Sequence, residues 1–139
     1  MKLPIKPPHA EFTDEQWQAI HQSGKNLLIS ASAGSGKTKV LVDRVMQKLL
    51  DGESITNLVL VTFTEDAARE MKERLQAKLE IAINQETDND KRRHFVLQKQ
   101  LLPQAYISTF HSFCRRILEQ FYFYIDLDPG FSLLTNKVE

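Results

Sequence analysis

The stretch SASAGSGKT, residues 30–38, decides the fold. It contains Ala31, four further residues and then Gly-Lys-Thr, the spacing of a loop whose backbone N–H groups turn inward onto a phosphate. The helix that follows adds the positive end of its dipole. Lys37 would supply a point charge to the β and γ phosphates, and the Thr38 hydroxyl would bind Mg²⁺. The stretch therefore predicts a nucleotide-phosphate site with Lys37 and Thr38 as catalytic residues and Thr38 as metal ligand. The predicted nucleotide-binding residues of the loop are Ala31, Ser32, Ala33, Gly34, Ser35, Gly36, Lys37 and Thr38.

Three short apolar runs divide the chain. They are NLLISAS at residues 26–32, NLVLVTF at 57–63 and AYIST at 105–109. Runs of this length that are rich in Val, Ile and Leu are typical of buried strands. The first of them leads directly into the glycine loop.

The segments between these runs have helical patterns. Residues 36–50 carry apolar side chains at 41, 42, 45, 46, 49 and 50, and residues 65–83 form a long amphipathic stretch. The polar stretch NQETDNDKRR, residues 84–93, predicts an exposed connection, and residues 94–102 predict a helix that ends at Pro103. The alternation predicts an α/β domain, a P-loop fold with a parallel sheet and helices packed on it.

Composition limits the class of protein. The chain has 139 residues, 42% of them hydrophobic, which suits a single folded domain. Lys plus Arg and Asp plus Glu are both 18, so the net charge is zero and a nucleic-acid site would have to be local. A single cysteine, Cys114, excludes an internal disulfide and a cysteine zinc cluster. No signal peptide or membrane-length apolar run is visible, so we expect a reduced, cytoplasmic, soluble protein with no membrane partner.

The N-terminal region precedes the loop and has its own signals. Three prolines within residues 1–11 predict an extended arm. The stretch TDEQWQAIHQSG, residues 13–24, opens with Thr13 and has Gln16 three residues later, which is the pattern of a capping box. A helix is therefore predicted here, ending at Gly24.

One later stretch imitates the acidic strand that motor ATPases use for magnesium. In FYFYID, residues 121–126, an apolar run precedes Asp126, but Leu127 rather than Glu follows. No Gly or Pro interrupts residues 110–126, and apolar side chains recur at near-helical spacing, at Phe113, Ile117, Phe121 and Tyr124. A helix running on from Phe110 is favoured over a strand, so a magnesium-binding Asp motif is not predicted here.

Three ordered motifs extend the pattern beyond the loop. They are FTDEQWQAI before it, VLVTFTEDAAREMKERL after it and ISTFHSFCRRIL later in the chain. Their order and spacing resemble the opening motifs of superfamily 1A DNA helicases of the UvrD type. The resemblance spans residues 12–118. It implies a partial RecA-like domain that uses ATP and Mg²⁺.

The resemblance also implies roles for individual residues. Gln16 falls where the family reads adenine, and its amide has the donor and the acceptor that an adenine edge needs. Phe63 and Thr64 match a motif that contacts single-stranded DNA, and Thr109 and His111 match the next one. Without the resemblance, Gln16 is explained by its capping box, Phe63 by the core and Thr64 by a helix cap. The alternatives remain open at this stage.

Within the family, the opening TDEQW, the loop and the ending YFYIDLDPGF look most similar to the A-type subunits of ATP-dependent helicase/nucleases. That resemblance implies that the substrate is a DNA end, single- or double-stranded, and that the protein acts in double-strand break repair. It also implies a B-type partner subunit and an exonuclease elsewhere in the longer polypeptide. It further implies three parts of the chain, namely an N-terminal arm (residues 1–11), the N-terminal part of a helicase domain (residues 12–125) and the start of a following segment (residues 126–139). We therefore expect the N-terminal portion of a longer protein, which alone binds nucleotide without turnover. The alternatives are a self-contained small P-loop phosphotransferase and a non-catalytic nucleotide- or DNA-binding module.

Overall fold

A computed structural model of the chain describes residues 3–24 and 36–132. These residues form five α-helices and two β-strands: α1 (Asp14–His21), α2 (Lys37–Leu50), β1 (Val59–Thr62), α3 (Glu65–Gln85), α4 (Asn89–Leu101), β2 (Tyr106–Thr109) and α5 (Phe110–Phe121). Short 3-10 turns lie at Ile55–Asn57, Leu102–Gln104 and Tyr122–Tyr124. The strand predicted at residues 26–32 lies outside the described residues.

The two strands are parallel neighbours. Val59 pairs with Tyr106 at one end and Thr62 with Thr109 at the other. Helices α3 and α4 form the crossover between them, because a parallel pair cannot be joined by a tight turn. The predicted α/β class, a partial RecA-like domain with a parallel sheet and helices packed on it, is confirmed.

The main core lies between one face of this sheet and helices α2, α3 and α4. The strands contribute Leu60 and Ile107, and the helices contribute side chains that are buried at helical spacing, namely Val42, Val45, Met46, Leu49, Met71, Leu75, Leu79 and Phe95. One polar side chain, Gln98, is buried with them, and its Oε1 accepts a hydrogen bond of 2.7 Å from the Ile55 backbone N–H. That bond satisfies both groups away from water.

Of the six apolar positions predicted to form the buried face of α2, four are buried, and the two that differ lie near the ends of the helix. Leu41 and Leu50 are exposed, whereas Val40 is buried against α1. The helix ends as predicted at Asp51, and Gly52 follows with a φ of 94°.

The connection predicted at residues 84–93 is wrong. Helix α3 continues to Gln85, and α4 begins at Asn89, so the connection is only residues 86–88. The Asp88 side chain caps the new helix by accepting hydrogen bonds from the backbone N–H groups of Asp90 and Lys91. A solvated first turn needs no apolar side chains once it is capped, which explains why the polar composition was misleading.

The prediction of a helix rather than a strand before Asp126 is confirmed, although the helix is shorter than expected. Helix α5 ends at Phe121, and a 3-10 turn covers Tyr122–Tyr124. Asp126 then adopts a left-handed backbone with a φ of 51°. The carboxylate therefore follows a turn, not the end of a strand.

The N-terminal arm is hydrogen-bonded to α1 and to the residue before its cap. The Trp17 indole N–H donates a 2.9 Å hydrogen bond to the Pro4 carbonyl, and the Lys6 ammonium donates to the Phe12 carbonyl.

Within residues 3–24 and 36–132, no helix has the length and apolar character that crossing a membrane requires.

Candidate functional site

The start of α2 is the described part of the predicted phosphate loop. Gly36 caps the helix with a φ of 80°, a left-handed conformation that glycine adopts without a Cβ penalty. Lys37 is exposed and Thr38 is half-buried in the first turn. The N–H groups of a first helical turn have no partner within the helix and carry the positive end of its dipole. The other predicted loop residues, Ala31, Ser32, Ala33, Gly34 and Ser35, lie outside the described residues.

Gln16 lies beside this helix start. Its Oε1 accepts a 3.0 Å hydrogen bond from the Thr13 backbone N–H, and the Thr13 hydroxyl accepts one from the Gln16 backbone N–H. The predicted capping box is therefore confirmed. The Nε2 end of the same side chain approaches Gly36 so closely that a Cβ there would lie 3.4 Å from it. The Gln16 side chain therefore caps α1 through its oxygen while its nitrogen lies close to the phosphate loop.

Arg44 holds α1 against α2 in this arrangement, a role that no pattern in the sequence indicates. Its Nη1 donates hydrogen bonds of 2.6 Å to the Ala19 carbonyl and 2.8 Å to the Gln22 carbonyl. These carbonyls belong to the last turn and C-cap of α1, where helix carbonyls have no internal partner and a cation meets the negative end of the dipole. Ala19 and Ile20 add a small apolar contact with α2. The position of Gln16 thus depends on a guanidinium two turns further along α2.

The second group of predicted residues follows the two strands. Thr62 and Thr109 are paired at their carboxyl ends, so the residues after them emerge side by side. The Phe63 side chain is fully exposed, at 104% of its reference area. The alternative that made Phe63 a core residue is wrong.

Thr64 and Thr109 each cap the helix that follows. The Thr64 hydroxyl accepts from the Ala67 backbone N–H at 3.1 Å, and the Thr109 hydroxyl accepts from the Ser112 backbone N–H at 3.2 Å. The helix-cap alternative for Thr64 is therefore confirmed. Thr109 is buried, whereas His111 is exposed. The DNA contacts predicted for these residues stay predictions.

A carboxylate that no sequence pattern singled out joins the two strand ends. Oε1 of Glu65 accepts hydrogen bonds from the Ser112 hydroxyl at 2.7 Å and from the Thr109 hydroxyl at 2.9 Å. These bonds stabilise the charged form of Glu65 and therefore hold its pKa below the ordinary value. The bond from Ser112 has the larger effect, and the bond from Thr109 follows it. An acidic residue in a first helical turn is so common that its presence there does not indicate this contact.

These contacts bring the predicted site residues together in two groups, Gln16 with Gly36 and the start of α2, and residues 62–65 with residues 109–112. The family described as the UvrD/REP helicase N-terminal domain matches residues 12–138. The chain belongs to this helicase family. In UvrD/REP terms, the two groups are the described parts of the predicted nucleotide site and the predicted DNA-contacting motifs.

Similar curated proteins are named as A-type subunits of ATP-dependent helicase/nucleases. The one from Enterococcus faecalis is 53% identical over 137 residues, covering 99% of this chain and 11% of that protein. The one from Pediococcus pentosaceus is 52% identical over 124 residues, covering 89% and 10%. The one from Staphylococcus haemolyticus is 44% identical over 135 residues, covering 96% and 11%. The chain thus spans about a tenth of the length of these relatives.

Proposed function

We propose that the chain is the N-terminal ATP-binding part of an ATP-dependent DNA helicase/nuclease subunit. In this proposal the whole protein processes DNA ends during double-strand break repair, with a nuclease in another part of the polypeptide and with a B-type partner subunit. The observation that carries it is the similarity along nearly the whole chain to proteins named as A-type subunits of ATP-dependent helicase/nucleases. The geometry supports separate sites, with the first group of residues binding the nucleotide and the second group binding DNA.

The first group would bind the nucleotide. The left-handed Gly36 opens α2 so that its first N–H groups face a phosphate, and Lys37, exposed beside them, would meet the β and γ phosphates. Gln16 lies next to this point, where its Nε2 can donate to the adenine ring while Oε1 keeps the capping bond. ATP would therefore be held between α1 and the start of α2.

The Mg²⁺ that accompanies ATP would be held by Thr38. Within residues 3–24 and 36–132, no group of three or more His, Cys, Asp or Glu side chains could hold a metal ion. A hydroxyl in the first turn of α2 nevertheless fits magnesium, which takes oxygen ligands and keeps waters and nucleotide phosphates around it. When bound, the ion would neutralise charge on the phosphates.

The second group would bind single-stranded DNA. Phe63 offers an exposed aromatic face directly after β1, and His111 is exposed just after β2. Bases stack on such aromatic faces without regard to sequence, which suits a protein that moves along DNA. Thr64 and Thr109 would act here mainly by fixing the helix starts that carry these side chains.

Replacing Lys37 tests the nucleotide site. Lys37→Ala in the full-length protein should abolish ATP-driven unwinding, because the charge that meets the phosphates is lost. Lys39→Ala is the matched control, since Lys39 lies on the same turn but pairs with Glu11 at 3.0 Å. Strand-displacement rates of the two variants provide the measurement. Unwinding that persists in Lys37→Ala would contradict the proposed clamp.

Replacing Phe63 tests the DNA site. Loss of one base stack costs roughly 1–3 kcal/mol, so Phe63→Ala should weaken oligonucleotide binding about 5- to 150-fold while ATP affinity is unchanged. Phe123 is the matched control, because it is also exposed (58%) but lies in the 3-10 turn after α5. Fluorescence anisotropy with labelled oligothymidylate measures both variants. Equal effects of Phe63→Ala and Phe123→Ala would show that the strand end is not the DNA site.

A further inference from the structure

Glu65 stands at the junction of two helix starts that are distant in sequence. It is the first residue of α3, which follows β1 after residues 63–64, and its hydrogen-bond donors, Thr109 and Ser112, lie at the start of α5. One carboxylate oxygen accepts a hydrogen bond from each hydroxyl. The start of α3 is thereby tied to the start of α5 by side chains as well as through the sheet.

A carboxylate is well suited to this position. It accepts hydrogen bonds and donates none, so both lone pairs of Oε1 can receive the two hydroxyls without a competing donor. Bonds of 2.7 and 2.9 Å to a charged acceptor are stronger than bonds between neutral groups. The neighbouring Asp66 occupies the same helical turn but pairs with Arg69 within α3 at 2.7 Å. Of these two carboxylates, Glu65 is the one that bonds to the start of α5.

The side chains predicted to contact DNA lie on either side of this contact. Phe63 is two residues before Glu65, and His111 is two residues after Thr109. The Thr62 hydroxyl donates to the Thr64 carbonyl at 3.0 Å, and the pairing of Thr62 with Thr109 places the ends of the two strands side by side. Glu65 adds a side-chain contact between the helix starts that follow these strands. We infer that Glu65 is a positioning residue that holds Phe63 and His111 in the relative placement that a DNA strand requires. This inference rests on the proposed DNA-binding function.

The test uses the full-length protein and labelled oligothymidylate. Glu65→Ala should weaken binding about 3- to 10-fold, and in a Phe63→Ala background the same change should have less than about a twofold effect, because one of the two side chains whose relative placement it holds is gone. Asp66→Ala removes an equivalent charge from the same helix start and should leave binding within about twofold. Glu65→Gln, which keeps an oxygen acceptor, should restore part of the loss. A purely structural role does not predict the non-additivity.

Ser112→Ala provides an independent variant if Glu65→Ala does not fold. It removes one donor to Glu65 and keeps the bond in which the Thr109 hydroxyl caps α5, so it should weaken binding in the same direction. Binding unchanged by Ser112→Ala, or an effect of Glu65→Ala that is additive with that of Phe63→Ala, would overturn the inference. If Phe63→Ala and His111→Ala themselves leave binding unchanged, the proposed DNA site fails instead, and the two failures are distinguished.

Discussion

Arg44→Met should release α1 from α2 while the rest of the fold persists. The substitution removes two hydrogen bonds from a charged donor, of 2.6 and 2.8 Å, and keeps most of the aliphatic stem. Buried bonds to a charged group contribute about 1.5–3 kcal/mol each, and since Arg44 is only half-buried we expect a total loss of about 2–3 kcal/mol. The apolar contact of α1, chiefly Ile20, contributes about 1.5–3 kcal/mol. The guanidinium therefore provides about half of the docking free energy.

The single tryptophan makes this measurable. Trp17 lies on α1 and lines a cavity together with Met46 and Leu50 of α2, so its fluorescence reports the docking of α1 on that helix. In urea titrations of Arg44→Met, the fluorescence midpoint should fall below the far-ultraviolet circular dichroism midpoint, which reports all the helices. Lys48→Met is the control, because Lys48 is one turn further along α2 and makes a partly exposed ion pair with Glu53 worth at most about 1 kcal/mol. A loss in Arg44→Met no larger than in Lys48→Met would refute the reasoning.

Two further predictions concern glycine and charge. Gly36→Ala should cost about 1–2 kcal/mol of unfolding free energy, because alanine is strained at a φ of 80°, and should weaken ATP binding measured by calorimetry. Gly52→Ala, at a φ of 94° with open space around it, should cost a similar amount in thermal unfolding but leave ATP affinity unchanged. The lowered pKa of Glu65 means that its contribution to stability is full above the ordinary value of 4.5 and is lost as pH falls through the lower folded-state pKa. Wild type should therefore lose stability more steeply than Glu65→Gln as pH falls below 4.5, and parallel acid-unfolding curves would contradict this.

Local signals in the sequence predicted most elements. The capping box at Thr13 and Gln16, the apolar face of α2 and the two described strands each depend on neighbours within a few residues, so their patterns are visible in the chain. The start of α4 was missed for the converse reason. Its first turn is solvated and held by the Asp88 cap, and a polar helical turn has the same composition as a loop.

The contacts that assemble the site were not predictable in this way. Arg44 reaches the end of a helix more than twenty residues earlier, and Glu65 reaches hydroxyls more than forty residues later. Both are charged residues on amphipathic helices, where a solvated side chain is the ordinary expectation. Phe63 was ambiguous for a similar reason, because an apolar run gives no indication of which end residue leaves the core.

The parallel pairing of β1 and β2 has a consequence for the order of folding. Residues 59 and 106 cannot meet until the intervening chain is compact, whereas α3 and α4 are joined by only three residues and pack on each other directly. The loss of chain entropy on closing a long loop is much easier to offset after the helical hairpin has formed. We therefore expect the hairpin to form first and the sheet last. In pulse-labelling hydrogen exchange, the Leu75 amide should become protected before the amides that join β2 to β1, and the reverse order would show that the strands organise the helices.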